Sequence, residues 1–92
     1  MTVQENADPD VVHDILLWLN HHIPKDVPRF RHAEGNSDAH IKSSLIGTSV
    51  TILVEGGDLV LGTWQGVYLI EHRSAPHERN IALSFLGYCA EA

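Results

Sequence analysis

The segment "HAEGNSDAHIKSSLIG", His32 to Gly47, gathers two histidines, an asparagine and an aspartate around Gly35. Such side chains move protons, ligate divalent metals or hold anions. If a helix starts near Asp38, its first backbone N–H groups point back toward "HAEGNS", a natural place for phosphate or carboxylate. Gly35 would let the backbone approach a ligand closely. His40 falls in the first helical turn, where the dipole favours a neutral ring able to bind metal or accept a proton. His32, on the approaching loop, can converge with it. The spacing of His32 and His40 is a weak metal signal alone, since paired ligands on one helix face stand at i and i+4. A loop histidine, a helix-terminal histidine, Asp38 as a cap and Asn36 as a turn residue account for the same letters without a ligand.

A second group lies in "LGTWQGVYLIEHR", which reads as a strand. Alternation sets Thr63, Gln65, Val67, Leu69 and Glu71 on one face, and Trp64, Gly66, Tyr68, Ile70 and His72 on the other. Gly62 and Gly66 imply a bulge or a close backbone approach. Gln65 and Glu71, if they face inward, need hydrogen-bond partners. Trp64 is either a core or interface aromatic or an apolar wall for an aromatic or cationic ligand. "HRSAPHER" sets Arg73 and Arg79 on either side of a turn, as bidentate phosphate donors or as solvated turn residues. His72 and His77 read as exposed. Glu5, Asn6 and Asp8 precede the first helix, where acids suit its dipole.

The elements that must position these residues are legible. "ADPDVVHDILLWLNHHIP" is a helix, capped by Asp8 and opened by Pro9, with Val11, Val12, Ile15, Leu16, Leu19 and Ile23 at helical spacing until Pro24 stops it. His21 and His22 form a solvated helix end. After the irregular "PKDVPRFRHAEGN" comes a shorter helix, about Asp38 to Ile46. Asp38 or Ser37 caps it, Ile41 and Leu45 share a face, and Gly47 ends it. The period then changes: "TSVTILVE" and "DLVLGTWQGVYLIEHR" alternate, and "EGGD" between them signals a hairpin. "RNIALSFLGY" supplies a last strand after the turn-like "SAPHE". A strand remnant, two helices and then antiparallel strands make an α+β fold, not an alternating doubly wound sheet.

Composition excludes several function classes. The 92 residues are one domain's worth, 43% hydrophobic and 20% charged, as in ordinary globular chains. So short a chain has a stability of only ~5 to 10 kcal/mol, so self-assembly would help it. Twelve acids against six Lys and Arg, a net charge of −6, argue against a nucleic-acid backbone as ligand. The single cysteine, Cys89, reads as a small apolar residue at or just past the last strand. No apolar run is long enough for a membrane span and no basic flank marks a signal peptide, so the cytoplasm is the expected compartment.

Taken together, "ENADPDV" and "NSDAHIKSSLIGTSVTILVEGGDLVLGTWQGVYLIEHR" resemble the YjbQ family of small proteins. The motifs that carry the likeness are Asp38-Ala39-His40 and Leu61-Gly62-Thr63-Trp64-Gln65. The resemblance implies an α+β fold in which two helices pack on a sandwich-like antiparallel sheet, assembled as a homotrimer. It also implies a secondary thiamine-phosphate synthase activity, joining hydroxymethylpyrimidine diphosphate to thiazole phosphate. In that reading Glu5, His32, Asp38 and His40 move protons or bind a divalent cation, Mg²⁺ or Zn²⁺, with His32 and His40 as metal ligands. Lys42, Arg73 and Arg79 hold phosphate, Trp64 faces the heterocycle, and Asn36 and Gln65 complete the substrate site. The family pattern has Pro-Arg-x-Arg where this chain has Pro76-His77-Glu78-Arg79, so only Arg79 carries over, and a proline is common where Leu53 stands. The pattern also runs longer at its N-terminus, with a His-Thr-Thr segment that adds a site histidine. The expectation is therefore one domain, residues 1–92, shortened at its N-terminus. Two other readings stay open: a non-catalytic oligomeric protein that binds a metal or a phosphorylated metabolite, and a metal-dependent hydrolase.

Overall fold

The computed structural model describes residues 1–88 of the chain, and Cys89 lies outside the described residues. Strand β1, Thr2–Glu5, leads into helix α1, Pro9–His22. The expected start of α1 holds: the Asp8 side chain accepts the Asp10 N–H at 2.9 Å, and Pro9, with no N–H to orphan, opens the first turn. Helix α2 spans Ser37–Ile46. Its N-cap is Asn36, whose carbonyl accepts the Ala39 N–H, so Asp38 sits inside the helix and does not cap it. Gly47 ends α2 as expected.

Strands β2, Val54–Glu55, and β3, Asp58–Leu59, form the hairpin that "EGGD" signalled. Gly56 and Gly57 have φ of 60° and 84°, the positive pair that a two-residue type I′ connection requires. Strand β4, Gln65–Tyr68, pairs antiparallel with β1, from Thr2 opposite Tyr68 to Glu5 opposite Gln65. The fold is α+β. Among the described residues its antiparallel sheets are two separate two-stranded ladders.

The alternation in β4 is real, but its less exposed face carries Gly66 and Tyr68, and the chain beyond the strand continues the pattern with Ile70 and His72 the less exposed residues. Gln65 and Val67 are the more exposed positions of β4, so Gln65 is not a buried polar group, and Glu71, beyond the strand, has hydrogen-bond partners in Arg73 and Arg79. Gly66 is a close approach: a Cβ there would lie 2.7 Å from Asn6 Nδ2 and 2.9 Å from Asn6 Cβ. Gly66→Ala should therefore destabilise the chain by about 1 to 3 kcal/mol in urea unfolding, as overpacking does. Asn6→Gly in the same chain should restore most of the loss.

"RNIALSFLGY" does not form a strand over its described residues. A strand needs a hydrogen-bonded neighbour, and none among the described residues pairs with this segment. Leu83 is 90% exposed and Leu86 fully so. The apolar core is correspondingly small, with Leu19 and Ala39 its buried members among the described residues. The Cα radius of gyration, 16.9 Å, exceeds the roughly 12 Å of a compact domain of this length. Leu17, Trp18, Leu45 and Phe85 present apolar surface that contacts among these residues do not cover. No helix among the described residues is long and apolar enough to cross a membrane.

Candidate functional site

Helix α2 and the stretch that runs out of β4 enclose a cavity of about 400 Å³. His40 and Ser43 line it from α2, Glu71 and Arg73 from the chain beyond β4, and Arg79 and Asn80 from across the following turn. His32 comes in from the loop and meets His40 edge to face, with ring centroids 5.5 Å apart. The expected convergence of these two rings is therefore present. Asn36 Nδ2 donates to Glu34 Oε2 at 3.2 Å, and Arg73 reaches the same carboxylate at 3.6 Å. Asn36 Oδ1 is buried and finds no donor among the described residues.

Arg79 is engaged by a group that the sequence pattern does not pair with it. Its Nε and Nη2 donate to Glu71 Oε2 at 2.6 Å and Oε1 at 2.8 Å, a two-point fork. The Arg73 backbone N–H adds a third bond to Glu71 at 3.0 Å. The Arg79 guanidinium above all, then that N–H, hold the Glu71 carboxyl down to about 2.

Asp38 and Lys42 face away from this cavity, toward α1. They form an i, i+4 ion pair at 3.3 Å whose side chains are 8% and 5% exposed. Lys42 Nζ also donates to Asn20 Oδ1 of α1 at 2.9 Å, so one ammonium joins the two helices. A second cavity, about 390 Å³, opens beside this pair and shares His72 and Arg73 with the first. The i, i+4 spacing of Asp38 and Lys42 is the signal in the sequence for such a pair. Its burial has no such signal.

His72 stands between the two cavities, half-buried rather than exposed as expected. Burial first, and then the Lys42 charge, lower its proton affinity below the usual imidazole value of 6.5. The unfolded chain then binds more protons than the folded one as pH falls below about 6.5, so stability is full above that value and declines beneath it. Thermal melting points should fall between about pH 7.5 and pH 5.5, and His72→Gln should flatten that slope.

Three further candidates gather elsewhere. Glu5 accepts the Asp8 backbone N–H at 3.1 Å, and its own carbonyl accepts the Tyr68 hydroxyl. Gln65 Oε1 accepts the Gly62 N–H at 2.7 Å and pins the turn ahead of β4. The exposed Trp64 precedes it, its carbonyl accepting the Asn6 N–H. These three share one end of the β1–β4 ladder, as the pairing of Glu5 with Gln65 requires. As for a metal, no three His, Cys, Asp or Glu side chains converge among the described residues. Two imidazoles fall short of the three protein ligands of a catalytic zinc site.

Residues 1–88 match the family model described as UPF0047 protein YjbQ-like. This chain belongs to the YjbQ family. A UPF0047 protein of Methanocaldococcus jannaschii is 51% identical over 87 residues, covering 95% of this chain and 62% of that one. The UPF0047 protein YugU of Bacillus subtilis is 44% identical over 87 residues, covering 95% and 65%. Among solved structures, a YjbQ/UPF0047 protein of Clostridium acetobutylicum superposes with a TM-score of 0.66 at 58% identity, over 70% of this chain and 49% of that one. A conserved hypothetical protein of Thermus thermophilus gives 0.67 at 52% identity, over 70% and 51%. The chain thus spans about three fifths of the length of the first two curated relatives it matches. In this YjbQ-family chain the two recognisable motifs serve different places. Asp38-Ala39-His40 lies on α2 between the cavities, and Trp64-Gln65 lies at the end of the β ladder.

Proposed function

We propose that the cavity beside α2 binds phosphoryl groups, and that the reaction it serves is of the thiamine-phosphate synthase type. The observation that carries this reading is one cavity lined by an imidazole and two guanidiniums, His40, Arg73 and Arg79. Guanidinium is the side chain best matched to phosphate oxygens. In the reaction the bond between the pyrimidine methylene and the diphosphate oxygen breaks. The thiazole nitrogen donates its electron pair to that methylene, a C–N bond forms and pyrophosphate leaves. Arg73 and Arg79 would carry the growing negative charge of the leaving group, and His40 would supply a further N–H donor. Excluding water matters equally, since the cationic methylene would otherwise be hydrolysed.

The two imidazoles, His32 and His40, do not make up a metal site alone, and no step here passes through a protein-held metal. Mg²⁺ would enter as the counter-ion of the diphosphate substrate. The uncovered apolar surface supports assembly with further copies, and a cytoplasmic homotrimer is the form we propose. A second reading, a non-catalytic protein that binds a phosphorylated metabolite, is favoured by one observation: both arginines already hold carboxylates.

Incubating the chain with both phosphorylated precursors and Mg²⁺ separates the two readings. Thiamine phosphate above the uncatalysed background is expected, together with its loss in Arg79→Ala. Pyrophosphate binding without product would leave the binding protein and remove the synthase.

A further inference from the structure

We propose that Glu71 and Glu34 are built-in competitors for the arginines of this cavity, so that it admits a phosphoryl group of two or more negative charges and turns away a monocarboxylate. The proposal rests on the phosphoryl-binding reading above and adds to it a rule of selection.

The geometry is specific. Glu71 offers Arg79 both carboxylate oxygens at 2.6 and 2.8 Å, the arrangement any free carboxylate would adopt. It is tethered to the same turn, so its effective concentration is on the order of millimolar or higher. A free monocarboxylate would exchange one fork for an identical one, lose its own translational freedom and gain nothing. A phosphoryl group differs in two ways. It brings more charge, and after satisfying Arg79 it keeps further acceptor oxygens for Arg73 and His40, which line the same cavity. Glu34 holds Arg73 more loosely, at 3.6 Å through an exposed carboxylate, so its restraint is the weaker of the two. Glu71 stays ionised through the whole physiological range, because Arg79 keeps its carboxyl down at about 2. The competitor is thus always present, and it withdraws only before a more highly charged ligand.

Calorimetric titration of the full 92-residue chain with inorganic pyrophosphate and, separately, with acetate tests this. The wild type is expected to bind pyrophosphate and give no acetate isotherm. Glu71→Gln should bind pyrophosphate about two- to fivefold tighter, the scale set by an exposed ion pair, and should begin to bind acetate. Glu34→Gln should show a smaller gain in the same direction. Should Glu71→Gln fail to fold by circular dichroism, Glu71→Ser and Glu34→Gln provide the same contrast. Unchanged or weaker pyrophosphate binding in folded variants would overturn the competition while leaving the phosphoryl site standing. Acetate binding to the wild type as tight as to the variants would do the same. If neither wild type nor variants bind pyrophosphate, the site itself falls, and the competition with it.

Discussion

Replacing Lys42 with alanine is expected to cost about 3 to 5 kcal/mol of stability, the range for stripping one partner from a buried ion pair. Asp38 would be left without its cation in a site where its side chain is 8% exposed, and Asn20 would lose its donor from α2. Against a total of ~5 to 10 kcal/mol for a domain of this size, that leaves a large unfolded fraction at room temperature. Urea unfolding followed by circular dichroism measures it directly. The double variant Asp38→Leu with Lys42→Met should recover much of the loss, because no buried charge then stands alone. Lys25→Ala, which removes only an exposed bond to Ser74, is the control and should change little. A loss from Lys42→Ala no larger than that of Lys25→Ala would show that the ammonium is hydrated and that the two helices are joined by other contacts.

The second large effect concerns the arginines. Arg73 and Arg79 approach one cavity from the two sides of a turn, and each can give a phosphate two donors. Arg79→Ala alone is expected to weaken pyrophosphate binding by roughly tenfold, and the pair Arg73→Ala with Arg79→Ala by roughly a hundredfold or more. Removing Arg79 also frees Glu71, whose carboxylate would then repel the ligand. The double variant should remain folded, since both side chains are substantially exposed. A hundredfold loss accompanied by unchanged melting places the effect at the site and not in the fold.

How much of this was legible in the sequence follows from the range over which each feature is determined. Asp8, Pro9 and Gly47 act within a turn of their own positions, and the helix ends they imply are present. The Gly56-Gly57 hairpin is likewise local. The pairing of β1 with β4 joins residues some sixty positions apart, and nothing in "TVQE" names "QGVY" as its neighbour. The same reason explains "RNIALSFLGY": alternation shows that a segment can be a strand, but only a partner makes it one. At the site, the approach of His32 to His40 was readable from the loop and helix start. Lys42 was expected to hold phosphate and instead lies buried between helices, because its spacing from Asp38 fixes the pair but not which way it faces. The pairing of Glu71 and Glu34 with the arginines is hidden for a related reason. Acids beside arginines in a turn look solvated in sequence, and only the folded turn shows the fork that they close.

The proposed phosphoryl site is the cavity between α2 and the chain beyond β4. Titrating pyrophosphate into isotope-labelled protein, with backbone and arginine side-chain N–H signals followed by NMR, tests this assignment most directly. Saturable shifts are expected at His40, Ser43, Arg73 and Arg79, with Glu5, Trp64 and Gln65 undisturbed. Shifts confined to the Glu5, Trp64 and Gln65 end of the β ladder, or none that saturate, would contradict the assignment.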